Sequence, residues 1–257
     1  MSSLDGTVTY GALVPTAPAF VHPAPRPLGL WTSLGWALLA SASVFGFLLG
    51  LSVQIWNMAS PGHAIDLPTL LNQHIFLLNG ALPLLLAGVV AMVCKSAGWR
   101  ATDYLQIAWP QRRYILLGIA GVLIPFVSLI VLGVFNLKLG AGSGGGGPTT
   151  LGQIVLLWMF LVVSAPIAEE LVMRGFLYRG LADTRLGVVG AIVLSSAIWA
   201  MLHFDKTWVG VGHLFLCGLI WGFLRWRTNS TVVPIVVHAT YNSLPALFIT
   251  LAALGKV

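Results

Sequence analysis

The sequence predicts an all-α, polytopic membrane protein with about seven transmembrane helices. Hydrophobic residues make up 58% of the 257 residues and charged residues only 8%, and the mean hydropathy is +0.92. A soluble globule of this length has too little interior to bury so much apolar surface. Seven apolar stretches are also long enough to cross a bilayer, for which about 20 residues suffice.

The predicted elements follow one another with short connections. Residues 1–30 lack the basic-then-apolar pattern and cleavage site of a signal peptide, so we expect a flexible cytosolic tail. Gly140 to Pro148 is too rich in glycine to hold a helix and predicts a flexible loop. The chain therefore divides into the tail, an N-terminal membrane part with this loop (31–148) and a C-terminal core (149–257). The seven spans are placed at 31–56, 73–95, 114–137, 151–180, 187–205, 208–226 and 231–254.

The basic residues predict the orientation, because lysine and arginine are retained on the cytoplasmic side of a membrane. A cytosolic N-terminus puts ten of the thirteen basic residues inside and leaves Lys138, Lys206 and Lys256 outside. The net charge of +6 then reflects topology, with anionic headgroups as the counter-surface and no nucleic-acid partner. We expect an integral protein of the plasma membrane, or of the inner membrane if the chain is bacterial. The ten inside residues are Arg26, Lys95, Arg100, Arg112, Arg113, Arg174, Arg179, Arg185, Arg225 and Arg227.

Two adjacent carboxylates, Glu169 and Glu170, follow thirty residues (139–168) that contain no charge. A charge within a span costs roughly 2.5 to 3.5 kcal/mol on insertion scales, so such residues normally line a bundle interior or an aqueous cavity. Glu170 and Arg174 share one helix face, whereas Glu169 points about 100° away. One carboxylate can thus be neutralised while the other stays available for chemistry. Taken alone, the pair suits an interfacial salt bridge with Arg174 and Arg179 equally well.

Two further polar clusters lie in later apolar segments. Trp199 and His203 end the fifth span, where a lone histidine is more often structural, as we also interpret His213. His238 and Asn242 lie four residues apart on one face of the last span. An interhelical hydrogen bond, worth roughly 0.6 to 2 kcal/mol, is the structural alternative for them. Two strong polar groups on one face of a span favour a functional site.

Together these clusters supply the groups that hydrolyse an acyl bond. Glu169 can take a proton from water, one histidine can hold that water, and a second histidine with Asn242 can donate to the developing oxyanion. The same set can instead ligate zinc through Glu169, His203 and His238, with an open position for water. The sequence leaves both uses open and predicts peptide hydrolysis in either case.

These motifs resemble the CPBP family of intramembrane proteases, which includes the type II CAAX prenyl proteases and the abortive-infection or bacteriocin-immunity proteins. The resemblance covers about residues 149–245. Trp199 stands where the family usually has phenylalanine, so an aromatic wall is kept. The motifs, in chain order, are Glu169-Glu170-x-x-x-Arg174, Trp199-x-x-x-His203 and His238-x-x-x-Asn242.

The resemblance implies a core of four helices in the C-terminal half and a glutamate-dependent endopeptidase. Glu169 would be the base with His203 as its partner, and His238 with Asn242 would form the oxyanion site or help to hold one zinc ion. Glu170, Arg174 and Trp199 would be supporting residues. The implied partners are the bilayer and a peptide or protein substrate in or at the membrane, possible substrates being CAAX-type or leader peptides.

Two other classes remain open from the residues alone. A non-catalytic immunity or scaffolding protein would keep the fold and use the cavity for binding, and a proton-coupled transporter would use the same groups as a relay. The presence of all four candidate catalytic residues favours the enzyme over the scaffold, and the lack of an internal repeat argues against transport.

The spacing also predicts how the site assembles. Glu169 and His203 lie symmetrically about Leu186, so an antiparallel hairpin that turns there places them at equal depth. We therefore expect a polar cavity bounded by the fourth, fifth and seventh spans.

Overall fold

The computed structural model describes the C-terminal part of the chain almost continuously and parts of the N-terminal half. The tail up to residue 27, most of the first two predicted spans and the glycine-rich stretch lie outside the described residues. The described part is helical and contains no named strand, which confirms the all-α class. The described residues are 28–29, 31–40, 53–55, 58, 85–140, 148, 150–203 and 206–255.

The helices that precede the core are mostly short. Residues 31–40 form α1, Leu85–Ser96 form α2 and Ala101–Tyr104 form α3. Helix α4 covers Arg112–Val134 and begins with one 3-10 turn over Arg112–Tyr114. It corresponds to the third predicted span.

Four helices form the core as successive antiparallel neighbours. They are α5 (Leu151–Ala182), α6 (Gly187–Met201), α7 (Trp208–Thr228) and α8 (Val232–Ala253). Helices α4, α5, α7 and α8 are long and apolar enough to span a membrane, which supports the prediction of an integral membrane protein. The fifth predicted span, 187–205, is instead a helix of 15 residues. At 1.5 Å per residue it is about 22 Å long, shorter than the roughly 30 Å hydrocarbon core.

Helix α5 is unusual in its backbone. A capping box of Thr150 and Gln153 begins it, and π-helical turns occupy Met159–Ser164 and Leu171–Leu177. Pro166 follows the first of these turns. Because proline has no N–H and its ring clashes with the carbonyl four residues earlier, a locally widened helix accommodates it. The segment between the two π turns, Ala165–Glu170, carries both glutamates.

Helices α6 and α7 approach closely because two glycines of α7 face α6. A Cβ atom at Gly218 would lie 2.8 Å from Ser196 Cβ, and one at Gly222 would lie 2.9 Å from Ile192 Cγ2. These are distances that real side chains do not adopt. Small residues four apart allow membrane helices this contact. Helix α7 is thereby held against the helix that carries Trp199.

Two of the ten basic residues counted on the cytoplasmic side are buried in the bundle. Arg174 is 0% exposed and Arg225 is 2% exposed. Their charges are used between helices: Arg174 pairs with Glu170, and Arg225 Nε donates to the Arg174 carbonyl. Both lie within predicted spans and serve interhelical contacts, so the predicted charge bias rests on the other eight.

The connection between α3 and α4 is tied to the turn between α7 and α8. Thr231 donates to the Leu105 carbonyl through its hydroxyl and to the Gln106 carbonyl through its N–H, at 2.5 and 3.0 Å. The Ser230 hydroxyl donates to the Ala108 carbonyl. Tyr104 connects α3 to the residue Leu28, because its buried hydroxyl accepts from the Leu28 N–H at 3.3 Å. Burial raises the pKa of Tyr104 to about 12, so this hydroxyl stays protonated.

Substituting alanine at either close-contact glycine is expected to destabilise the bundle. Gly218→Ala and Gly222→Ala should each cost about 1–3 kcal/mol. The methyl group added at Gly218 overlaps Ser196 Cβ, which moves only with the backbone, and the one added at Gly222 overlaps Ile192 Cγ2, whose χ1 rotamer is restricted in a helix. Thermal unfolding of the purified protein in detergent measures the change. Gly212→Ala is the matched control, since an added Cβ there meets nothing within 4 Å. Equal destabilisation of all three variants would contradict the packing explanation.

Candidate functional site

The indole of Trp199 is the centre of the polar cluster. Its Nε1–H donates to Glu169 Oε2 at 2.6 Å across the α5–α6 hairpin. Its ring meets the His203 ring edge-on at 4.9 Å and the His238 ring at 5.5 Å between centroids. Sequence reasoning assigned Trp199 only as an aromatic wall, and the hydrogen bond to Glu169 was missed. Phenylalanine, the usual residue of the resembling family at this position, has no such donor.

Glu169 is half-buried. One oxygen, Oε2, is occupied by the Trp199 donor, while Oε1 makes no hydrogen bond among the described residues. The predicted direct pairing of Glu169 with His203 is not present as a hydrogen bond among those residues. The hairpin instead brings Glu169 opposite Trp199, one helical turn before His203.

Glu170 is fully buried and lies in an ionic cluster. Its Oε1 is 3.2 Å from an Arg174 guanidinium nitrogen and 3.0 Å from His238 Nδ1. The predicted ion pair of Glu170 and Arg174 is thus present, and His238 of α8 joins it. A buried charge of this kind is stable only when it is paired. Glu170 Oε2 and Arg174 Nε are buried and have no hydrogen-bond partner among the described residues.

Helix α7 also contributes to this cluster, which sequence reasoning did not predict. The Gly218 carbonyl accepts from Arg174 at 3.2 Å, and the Trp221 ring stacks on His238 at 4.1 Å. Arg174 lies over the rings of Trp199 and Trp221, 5.2 and 5.7 Å from their centroids. The sixth span therefore joins the fourth, fifth and seventh spans around these polar residues. The pattern Gly218-x-x-x-Gly222 was the available signal for its close approach.

His203 follows the end of α6 and is partly exposed. Its Nδ1 lies 3.0 Å from the Trp199 carbonyl. Because a carbonyl only accepts, Nδ1 carries the proton in this contact, and Nε2 of a neutral ring is then left as a proton acceptor. In the same way Nδ1 of His238 donates to the Glu170 carboxylate.

Asn242, one helical turn after His238 in α8, bonds the first π turn. Its Nδ2 donates to the Leu161 carbonyl at 2.9 Å. That carbonyl has lost its usual donors, because the Ala165 N–H bonds Phe160 instead and Pro166 has no N–H. Asn242 thus satisfies a carbonyl that the π turn exposes, and one amide hydrogen remains for another partner.

The second π turn is satisfied in the same manner. The Tyr178 N–H bonds the Met173 carbonyl, so the Arg174 carbonyl loses its usual helical donor. Arg225 Nε donates to it at 2.9 Å, and the Arg225 guanidinium stacks over Tyr178 at 4.9 Å. Each π turn of α5 therefore presents a main-chain carbonyl to a polar side chain of another helix.

A second polar chain crosses the bundle away from these residues. The Ser128 hydroxyl donates to the Pro125 carbonyl at 2.7 Å and accepts from His213 Nδ1 at 2.9 Å, and the Tyr241 hydroxyl lies 2.6 Å from His213 Nε2. Each of these groups is satisfied, so the chain fastens α4, α7 and α8 together. A groove of about 630 Å³ beside it is lined by apolar side chains apart from Ser128 and His213. None of the four predicted catalytic residues lines this groove.

The residues predicted to hold zinc are not assembled as a ligand set. Among the described residues, no three His, Cys, Asp or Glu side chains are grouped so that they could hold a metal ion. The hydrogen bonds of His203 and His238 use only Nδ1, and the Trp199 N–H occupies only one oxygen of Glu169. Nε2 of each ring and Oε1 of Glu169 are left without a hydrogen-bond partner among the described residues, so zinc binding by these three side chains stays a prediction.

Removing the Glu170 carboxylate alone is expected to destabilise the protein. Glu170→Ala leaves Arg174 charged and buried without a carboxylate, which should lower the free energy of unfolding by about 3–5 kcal/mol. The double variant Glu170→Leu with Arg174→Met removes both charges and should recover most of this loss. Denaturant unfolding in mixed micelles compares the two. If the double variant is no more stable than the single one, the unpaired charge of Arg174 is not the cause of the destabilisation.

The hydrogen bond from Asn242 to the Leu161 carbonyl can be tested by restoring an N–H at residue 166. Asn242→Ala should destabilise the protein by about 1 kcal/mol, since a partly buried carbonyl loses its donor. In a Pro166→Ala background the same change should cost less, because residue 166 then supplies an N–H to Leu161. A double-mutant cycle measured by thermal unfolding gives the coupling. Ser243→Ala is the control, because this hydroxyl bonds the Thr240 carbonyl of its own helix; its effect should simply add to that of Pro166→Ala. If the effects of Asn242→Ala and Pro166→Ala add in the same way, Asn242 does not stabilise the Leu161 carbonyl as proposed.

Comparison with known families bears on this site directly. Residues 151–244 match the family model described as Type II CAAX prenyl endopeptidase Rce1-like. The matched segment begins at the start of α5 and ends in α8 just after Asn242, so it contains all three motifs and confirms the resemblance that they carry. Searches of curated proteins and of solved structures each found no match to the chain. The family match indicates a membrane protease, and hence a hydrolase that acts on a peptide at the membrane.

Proposed function

We propose that this protein is an intramembrane endopeptidase in which Glu169 activates the water that cleaves a peptide bond. The observation that carries the proposal is the short hydrogen bond from Trp199 to Glu169 Oε2. It orients a half-buried carboxylate and leaves its other oxygen for a water molecule. A positioned carboxylate is a competent general base for hydrolysis.

His203 supports the same step. Its Nδ1–H is directed to the Trp199 carbonyl, which leaves Nε2 to accept a hydrogen bond from water near Glu169. Glu169 takes one proton from this water as the oxygen attacks the carbonyl carbon of the substrate. When the tetrahedral intermediate collapses, the protonated Glu169 returns the proton to the leaving amine.

His238 and Asn242 are proposed to face the oxyanion. The carboxylates of Glu169 and Glu170 together balance Arg174 and a doubly protonated His238, so the proposal places a positive charge on the His238 ring without leaving the group of four charged. That charge complements the oxygen of the tetrahedral intermediate, and preorganised groups of this kind are often the largest catalytic contribution. The Glu170 carboxylate holds the His238 ring through Nδ1, and Nε2–H is left to donate. The remaining amide hydrogen of Asn242 is the second proposed donor.

The proposed substrate is a membrane-associated peptide. The name of the matched family points to prenylated CAAX peptides, and a leader peptide is the alternative for a chain of bacterial origin. A zinc-dependent reaction with Glu169, His203 and His238 as ligands is the competing mechanism. It would use Nε2 of both histidines and Oε1 of Glu169, and it would require the three side chains to lie closer together than they do here.

Peptide cleavage by the purified protein in liposomes tests the proposal. Glu169→Gln, His203→Ala and His238→Ala should each lower kcat by about 10²–10⁴-fold, the usual contribution of a general acid or base. Prenylated CAAX peptides and unprenylated leader peptides are assayed side by side to identify the substrate class. Thr240→Ala is the matched control in α8, because its exposed hydroxyl bonds only the Val236 carbonyl among the described residues.

Unchanged cleavage by all three variants would exclude the assigned catalytic residues. Metal content and chelator sensitivity of the same preparations separate the two mechanisms. Stoichiometric zinc that is lost in both His203→Ala and His238→Ala would favour the metal-dependent reaction.

A further inference from the structure

We propose that the end of the bundle where α4 begins and α7 ends carries a binding site for the phosphate of an anionic phospholipid, formed by Arg113 and Arg227 around Tyr114. The two arginines come from different helices and meet at one aromatic ring. This site is separate from the proposed peptidase centre and does not depend on that activity.

The geometry brings two positive charges to the same place. The guanidinium carbon of Arg113 lies 5.0 Å from the centroid of the Tyr114 ring, and that of Arg227 lies 5.8 Å from the same centroid. Arg112 precedes this pair in the first turn of α4, which contains no acidic residue. All three arginines are exposed. Two like charges on one ring repel each other unless an anion lies between them.

Backbone contacts of the fold, and not only flexible side chains, bring Arg113 and Arg227 together. Hydrogen bonds from Ser230 and Thr231 hold the carbonyls of Leu105, Gln106 and Ala108. These bonds fasten the segment that leads into α4 to the turn that follows α7. The start of α4 and the end of α7 are thereby kept side by side.

No carboxylate neutralises these arginines in the part of the chain that the structure describes. The ion pairs found there are Arg100 with Asp103, Arg174 with Glu170 and His238 with Glu170. Arg113 and Arg227 take part in none of them. Guanidinium groups bind phosphate through paired N–H donors, and a phosphate that binds here meets no competing carboxylate among the described residues.

Exposed aromatic residues beside the arginines indicate that the anion belongs to a lipid. Trp109 is 84% exposed, Trp226 is 49% exposed and Phe223 is 42% exposed. Tryptophan and arginine together are typical of the headgroup level, where rings contact acyl chains and cations contact phosphate. A basic pocket between spanning helices near the membrane surface is the arrangement that binds anionic headgroups.

Lipid titration of the full chain in neutral detergent tests the site. Short-chain phosphatidylglycerol is titrated while bound lipid is counted by native mass spectrometry, with phosphatidylcholine and inorganic phosphate as parallel probes. We expect saturable binding of phosphatidylglycerol alone, and about fivefold weaker binding in Arg113→Gln and in Arg227→Gln. Arg185→Gln removes an exposed arginine from the α5–α6 turn at the same end of the bundle and should leave the affinity unchanged.

Three results would overturn the proposal. Equal binding of phosphatidylcholine would show contact with acyl chains only, and equal weakening by Arg185→Gln would show a diffuse charge effect. Inorganic phosphate that binds as tightly as the lipid and displaces it would show a site for free phosphate.

Two controls accompany the titration. Thermal unfolding of each variant establishes that it is folded. Arg113→Lys keeps the charge but loses the paired donors, so we expect its affinity for the lipid to lie between those of the unchanged protein and Arg113→Gln.

Discussion

The buried carboxylate of Glu170 is the constraint on which the core of this structure depends. An uncompensated charge at that depth would be expelled, so Arg174 and His238 must both reach it. Arg174 in turn needs the Gly218 carbonyl of α7, and His238 is covered by the Trp221 ring. One charge therefore fixes how α5, α7 and α8 pack, and it leaves the neighbouring Glu169 free of the cluster. The bundle can hold an unpaired, half-buried carboxylate beside a paired one because adjacent helical residues point in different directions.

The backbone of α5 is adapted to the same purpose. Its two π turns bracket the glutamates, and each turn exposes a main-chain carbonyl that another helix must satisfy. Asn242 does so for Leu161 and Arg225 does so for Arg174. The polar side chains of α7 and α8 thus bond main-chain carbonyls of the π turns of α5 as well as its side chains. The position of the two carboxylates therefore depends on how α7 and α8 pack against α5. π turns are frequent at functional sites for this reason: they change the direction of side chains without breaking the helix.

Much of this could be predicted from the sequence. The adjacent glutamates, the i,i+4 partner Arg174 and the ordered histidines depend on local spacing and on the cost of charge in an apolar segment, and both can be evaluated without coordinates. The contribution of α7 could not be predicted in the same way, since Gly218 and Trp221 carry no charge and glycine acts through the absence of a side chain. Arg225 was counted only as a cytoplasmic charge at the end of the span 208–226; its burial follows from a carbonyl that the π turn of α5 makes available.

By itself, the sequence determined the fold class, the membrane location, the family resemblance and the order in which the polar residues arrive, because periodicity, hydropathy and motif spacing are local properties. The tertiary structure decided which partner each polar group has. Trp199 rather than His203 bonds Glu169, His238 bonds Glu170, and Asn242 bonds a carbonyl of α5. These choices depend on the relative depth and rotation of four packed helices, to which every interhelical contact contributes, and no short stretch of sequence encodes them.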